Sequence, residues 1–229
     1  METLKLTAKD FKQSTSYWKD YIGTTDVSDF QWHIEIDSNL GYCRFEKIKV
    51  SGKLIALAGS GIKSGEGIEA GWGIEAGLGI EAGLGIKSGE GIEAGLGIEA
   101  GLGIEAGWGI EAGLGIEAGS GIKSGEGIEA GEGIEAGWGI EAGWGIEAGL
   151  YITCKLSLSF SYKIFSWICY WRDIEESEKT ITCGKKEGTG VVEYGILKEI
   201  WMPEEEVETL SWKEVTVTVD WKEYKAVIQ

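Results

Sequence analysis

The sequence predicts a mainly β protein: a single-stranded β-helix (β-solenoid) of hexapeptide repeats over residues 59–150. It is expected to be capped by an N-terminal α+β segment (1–58) and a C-terminal β-rich interaction domain (151–229). Three observations predict it. Isoleucine recurs at every sixth position from Ile62 to Ile152, sixteen times without a slip. Of the 38 glycines, 31 fall between residues 59 and 150, spaced alternately two and four apart, which excludes the every-third-residue glycine of collagen. Within that block the residue after each isoleucine is glutamate, except at Lys63, Lys87 and Lys123.

A period of six is commensurate with strand alternation and incommensurate with the 3.6 residues of a helical turn. Two glycines per unit would also cost a helix roughly 1 kcal/mol each. In a solenoid, each G-I-E-A-G-x unit becomes a short strand plus a corner. Glycine supplies the corner backbone, and the isoleucines of successive coils stack into one core. Alanine follows the glutamate, with Ser64, Ser88 and Ser124 replacing it in the three lysine units. The sixth position reads Glu66, Trp72, Leu78, Leu84, Glu90, Leu96, Leu102, Trp108, Leu114, Ser120, Glu126, Glu132, Trp138, Trp144 and Leu150. Burying Glu66, Glu90, Glu126 and Glu132 unpaired is prohibitive, so isoleucine belongs inside and the sixth position outside or at corners. With three units per coil, Trp72, Glu90, Trp108, Glu126 and Trp144 fall along one edge. Leu78, Leu96, Leu114, Glu132 and Leu150 fall along another. That order is more regular than two units per coil would give. Handedness stays open.

In the flanks, Phe11, Trp18, Tyr21 and Ile22 suit an amphipathic helix over residues 8–22. Phe30–Ile36 and Tyr42–Val50 read as strands joined by a turn around Ser38-Asn39-Leu40-Gly41. After the repeat, Ile152, Cys154, Leu156, Leu158, Phe160, Tyr162 and Ile164 alternate with polar residues as one half-buried strand. Val215, Val217, Val219 and Trp221 alternate in the same way. Such flanks would close the open ends of a solenoid, or serve as docking or dimerisation modules, since Trp167, Tyr170, Trp171 and Arg172 concentrate interface-type residues.

The formal charge of −17 is uneven: residues 1–58 are net 0, residues 59–150 net −13 and residues 151–229 net −4. Such acidity makes nucleic acid and anionic membrane poor direct partners and a basic protein surface a good one. Cys43, Cys154, Cys169 and Cys183 form no C-x-x-C pair, and no apolar signal segment or membrane-length run is present. A reduced, cytoplasmic protein is expected.

No motif carries catalytic chemistry. The single histidine, His33, stands beside Trp32 in an expected N-terminal strand and reads as structural. The G-x-G spacings precede no helix, so no phosphate loop is implied. Calcium-loop chemistry wants aspartates and carbonyls at loop spacing, and the block contains no aspartate. No cofactor or metal is expected.

The unit Leu78-Gly79-Ile80-Glu81-Ala82-Gly83 resembles the hexapeptide-repeat β-helix proteins, over roughly 40% of the chain. The enzymes of that group are acyltransferases that use a histidine as general base, and the one histidine here, His33, is expected in an N-terminal strand outside the coils. In architecture and charge it also resembles acidic DNA-mimic solenoids of the pentapeptide-repeat type and phage anti-restriction or anti-CRISPR inhibitors. Five coils at about 4.8 Å make a rod of about 24 Å, so thirteen net charges give roughly one per 1.8 Å, near the ~1.7 Å of duplex DNA. The expected function is a non-enzymatic inhibitor, phage- or mobile-element-encoded, that occupies a nucleic-acid-binding surface of a host defence complex. The residues expected to bind are the ladder Glu69, Glu75, Glu81, Glu93, Glu99, Glu105, Glu111, Glu117, Glu129, Glu135, Glu141 and Glu147, with Trp72, Trp108, Trp138 and Trp144 as anchors. The alternative is a scaffolding protein whose solenoid is a rigid spacer between binding flanks. The Trp and Leu edges also suit a homodimer.

Overall fold

The computed structural model describes residues 2–166, 175–200, 213–219 and 222–228. Residues Met1–Glu199 form one compact unit and Ile200–Gln229 another. In the first unit, short strands stack in parallel into three sheets of ten, eleven and eight strands. Each coil visits them in turn. In the repeat, Ile74–Ala76 lies on the first face, Ile80–Ala82 on the second and Ile86–Ser88 on the third. Partners along a face are separated in sequence by three repeat units, as in Ile74↔Ile92, Ile80↔Ile98 and Ile86↔Ile104. Three units therefore close each coil, as the order of the sixth position suggests.

Strand alternation decides what faces inward. In each I-E-A strand the isoleucine and the alanine are buried while the glutamate points outward. Each inward isoleucine contributes about 1.5–3 kcal/mol of apolar burial. Ser64, Ser88 and Ser124 are buried at the alanine position because a carbonyl accepts from each hydroxyl. Gly67 O, Gly91 O and Gly127 O lie at 3.1, 3.1 and 3.0 Å from the respective Oγ atoms.

The two glycines of each unit do different work, and neither supplies a left-handed corner. Among the described residues, positive φ is confined to Asn39, Gly41, Gly59, Gly188 and Gly195. The glycine after alanine is needed for close approach between coils: a Cβ on Gly107 would lie 2.1 Å from Gly89 O, and one on Gly125 2.0 Å from Gly107 O. The glycine before isoleucine is looser, since a Cβ on Gly109 would meet Gly127 O at 3.6 Å.

The flanking segments contribute strands to these same sheets. On the first face, Thr3–Leu6 pairs with His33–Ile36, which pairs with Leu54–Ala56 and so with the repeat. The amphipathic helix expected over residues 8–22 is absent. A 3-10 turn at Ala8–Asp10 leads into Phe11–Gln13, which pairs antiparallel with Trp18–Tyr21. Phe11 and Tyr21 are cross-strand partners 5.7 Å apart, and each packs on Phe45. Their shared apolar side comes from strand pairing at the end of the core, which helical spacing only imitated. The turn at residues 38–41 is present, with Asn39 at φ 59 and Gly41 at φ 71. The expected strand over residues 42–50 is cut by a corner into Gly41–Phe45 and Ile48–Val50.

Downstream, the segment expected to be one strand is three: Ile152–Cys154, Ser157–Phe160 and Lys163–Ser166, one per face. Ile152, Leu158 and Ile164 keep the period of six inside, while Leu156 and Tyr162 stand exposed at corners. Alternation of period two cannot distinguish a long strand from hexads, because two divides six. The sheets end with Lys185–Glu187, Val191–Tyr194 and Ile196–Glu199. In the second unit, Lys213–Val219 and Lys222–Ile228 form an antiparallel hairpin that includes the expected Val215, Val217 and Val219 strand. Trp167, Tyr170, Trp171, Arg172, Cys169 and Trp221 lie outside the described residues. Cys43, Cys154 and Cys183 are free and buried. Burial pushes their thiols up to about 12, 12 and 11.

Gly107→Ala should lower stability by about 2–3 kcal/mol through overpacking. Gly109→Ala should stay within about 1 kcal/mol of wild type. Paired urea melts followed by circular dichroism measure both, and equal losses would contradict the assigned roles.

Candidate interaction faces

Closure after every third unit sorts the outward side chains into columns, and the three faces differ. On the first face, Glu75, Glu93, Glu111, Glu129 and Glu147 stack in register. Lys53 bonds Glu75 at 3.3 Å, and among the described residues the other four have no ion-pair partner. On the second face the column runs Lys63, Glu81, Glu99, Glu117 and Glu135 and continues through Thr153 and Thr182 to Lys198. Lys63 is bonded to Glu81, and no ion pair reaches Glu99, Glu117 or Glu135 among the described residues.

The third face is electrically different. Lys49, Glu69, Lys87, Glu105, Lys123 and Glu141 alternate in sign up the column. The pairs Lys49–Glu69, Lys87–Glu105 and Lys123–Glu141 each close to 3.0 Å. Exposed pairs of this kind stabilise by at most about 1 kcal/mol each, but they cancel the charge of the face. Glu69, Glu105 and Glu141 therefore leave the acidic ladder that the sequence suggested. Stacked glutamates on the other faces repel by nearly 1 kcal/mol per neighbouring pair in water. The inward isoleucines of the same coils outweigh that cost.

The sixth positions form the three corners. Between the third and first faces, backbone bonds link Trp72, Glu90, Trp108, Glu126 and Trp144 in one column that continues to Tyr162. Trp72 packs on His33 at 5.1 Å, while Trp108 and Trp144 stand 55% and 65% exposed. His33 is held within the first face, where its Nδ1 accepts from the Lys53 amide at 2.8 Å. Trp138, 63% exposed, lies on a different corner, between the second and third faces. It joins Leu102, Ser120 and Leu156 there, on the opposite edge of the third face from Trp108 and Trp144. The corner between the first and second faces carries Leu78, Leu96, Leu114, Glu132 and Leu150.

This partition changes the meaning of the charge density. A match to duplex DNA averages charge over all three faces, which no single binding surface can meet at once. The first face with its Trp–Glu corner holds seven carboxylates, from Glu75, Glu90, Glu93, Glu111, Glu126, Glu129 and Glu147. Over about 24 Å that is one per roughly 3.4 Å, the spacing along one strand of DNA.

Two tyrosines report on the second face. Burial, then the Glu135, Glu117 and Glu132 carboxylates, raise the Tyr151 hydroxyl above its ordinary value. Burial, then Glu81, do the same for Tyr42. Among the described residues, no three acidic, cysteine or histidine side chains converge to hold a metal ion, and no helix is long and apolar enough to cross a membrane. A scan against family models and searches of curated proteins and solved structures match nothing to this chain.

Because the folded state holds the Tyr151 proton more tightly than the unfolded chain does, its contribution to stability is present below about pH 10 and lost as pH rises through the folded value. Carbon-13 NMR of labelled tyrosine should place the Tyr151 titration above that of free tyrosine. Glu135→Gln should bring it down, and an unmoved titration would contradict the negative potential assigned to this face.

Proposed function

We propose that this protein is a non-enzymatic acidic binding protein. Its first and second faces seat in a basic, nucleic-acid-binding surface of a host protein or complex and compete with nucleic acid for it. The observation that carries the reading is directional charge. Beyond Glu75 and Glu81, which Lys53 and Lys63 bond, two adjacent faces display glutamates without basic partners among the described residues, while the third is neutralised by lysines in register. Glutamates kept only for solubility would not need that separation, and repulsion within each ladder opposes it. A one-sided field steers a basic partner and sets its orientation. An inhibitor of a nuclease or guide-RNA effector, as phage-encoded polyanion mimics are, is the finer form of the proposal.

The runner-up reading, a rigid spacer, is favoured by one observation: the same three sheets continue from Thr3 to Glu199, so a single stiff unit runs through the repeat and its flanks.

Displacement of labelled DNA from restriction endonucleases and guide-RNA effector complexes tests the proposal. The protein should displace DNA from at least one, with affinity falling steeply as salt rises. Replacing Glu93, Glu111 and Glu129 by Gln should weaken displacement at least tenfold. The same change at Glu69, Glu105 and Glu141 should move it less than threefold. Failure to displace DNA anywhere, or equal losses from the two triples, would sink the reading.

Removing residues 92–109, one coil in register, separates the two readings. A charge mimic should lose affinity severalfold, whereas a spacer should bind its partners unchanged.

A further inference from the structure

Each face has a shallow groove between its corner side chains and its outward column, floored by the glycine that precedes isoleucine. The groove of the first face is the largest, about 610 Å³, and its content is distinct. One wall alternates Glu90, Trp108, Glu126 and Trp144, and the other is the glutamate column. The second-face groove has leucines and glutamates, and the third-face groove is lined by both signs of charge.

The floor is informative. A Cβ on Gly91, Gly109 or Gly127 would meet nothing closer than 3.4, 3.6 and 3.6 Å, whereas Gly145 at the groove's end leaves 2.7 Å to Lys163 O, and on the second face Gly79, Gly97 and Gly115 leave 2.7, 3.2 and 3.4 Å. Coil packing does not require glycine at Gly91, Gly109 and Gly127 beneath the middle of the first-face groove, yet any side chain there would fill it. The groove is also bounded. Lys53, bonded to Glu75, closes one end, and Lys163, bonded to Glu193 at 3.2 Å, closes the other. Between them lies an unneutralised acidic trough with two exposed indoles.

Its period selects the occupant. Trp108 and Trp144 are two coils apart, as are Glu90 and Glu126, which is about 9.6 Å along the axis. A polyproline II helix repeats every three residues, about 9.3 Å, and stays in step over the whole groove. An extended strand presents one side every ~6.7 Å and drifts out of step within one repeat.

We infer that this groove binds a polyproline II segment of a partner protein, about six residues long, with Arg or Lys at every third position. The two cations meet Glu90 with Glu93 and Glu126 with Glu129, two coils apart, while prolines lie on Trp108 and Trp144, the mode by which aromatic-lined grooves hold proline-rich chains. The inference rests on the charge-driven reading above and names the partner segment.

The test is fluorescence anisotropy of the full chain with labelled peptides. Four Arg-Pro-Pro repeats are compared with an isomer whose four arginines are contiguous and with four Arg-Gly-Ser repeats. The periodic proline peptide should bind at least tenfold tighter than either. That preference should vanish in Trp108→Ala/Trp144→Ala and in Gly109→Leu/Gly127→Leu, with folding checked by circular dichroism. It should survive in Trp108→Phe/Trp144→Phe and in Glu105→Gln on the third face. Equal binding of all three peptides, or a preference indifferent to the groove variants, would overturn the inference and leave the charge-driven reading standing. Binding of no cationic peptide at all would overturn both.

Discussion

The structure depends on how closely one coil can lie on the next. At the second glycine of each unit from Gly71 onward, the backbone of one coil approaches the backbone of the coil beneath so nearly that even a methyl group would overlap it. That contact allows the I-E-A strands to bond in register, Ile on Ile and Ala on Ala, with no stagger. Register then fixes everything else. The inward side chains fuse into one continuous core, and the outward ones are forced into straight columns. Glycine serves here by its lack of a side chain rather than by its freedom to adopt positive φ.

Straight columns turn a nearly uniform sequence into a surface with distinct sides. The unit G-I-K-S-G-E-G occurs three times, and the residues between copies decide where each lysine falls. Lys87 and Lys123 are two whole coils apart and share the third face, where Lys49 joins them. Lys63 is offset by one face and bonds Glu81 on the second. No lysine of the repeat reaches the first face, so beyond Glu75, which Lys53 bonds, its glutamates accumulate charge. The burial energy of the isoleucines behind them makes that repulsion tolerable. A local charge pattern that reads as mildly acidic everywhere becomes neutral on one side and strongly negative on another.

The flanks obey the same rule with less regular sequence. On the first face Ile34, Leu54 and Ile74 stack as the repeat isoleucines do, although each coil there is slightly longer than three repeat units. Phe160, Leu158 and Ile164 continue the core downstream. Edge exposure is limited at the N-terminal end by Phe11–Gln13 folding back antiparallel on Trp18–Tyr21, which brings Phe11, Tyr21 and Phe45 together.

The sequence by itself determined the solenoid, its inward isoleucines, its outward glutamates and the corner order of Trp72, Glu90, Trp108, Glu126 and Trp144. A strict period of six admits few backbone solutions and only one that keeps carboxylates in water. It did not determine which glutamates act together, because Glu105 and Glu111 sit in the same local G-I-E-A-G pattern and differ only in the column they join. The spacing of Phe11, Trp18 and Tyr21 likewise fitted a helix as well as a hairpin. Those outcomes belong to the tertiary structure. A side chain's neighbours along its column lie a full coil away in the chain, as Glu93 and Glu111 do, and local pattern carries no information at that distance until closure is known.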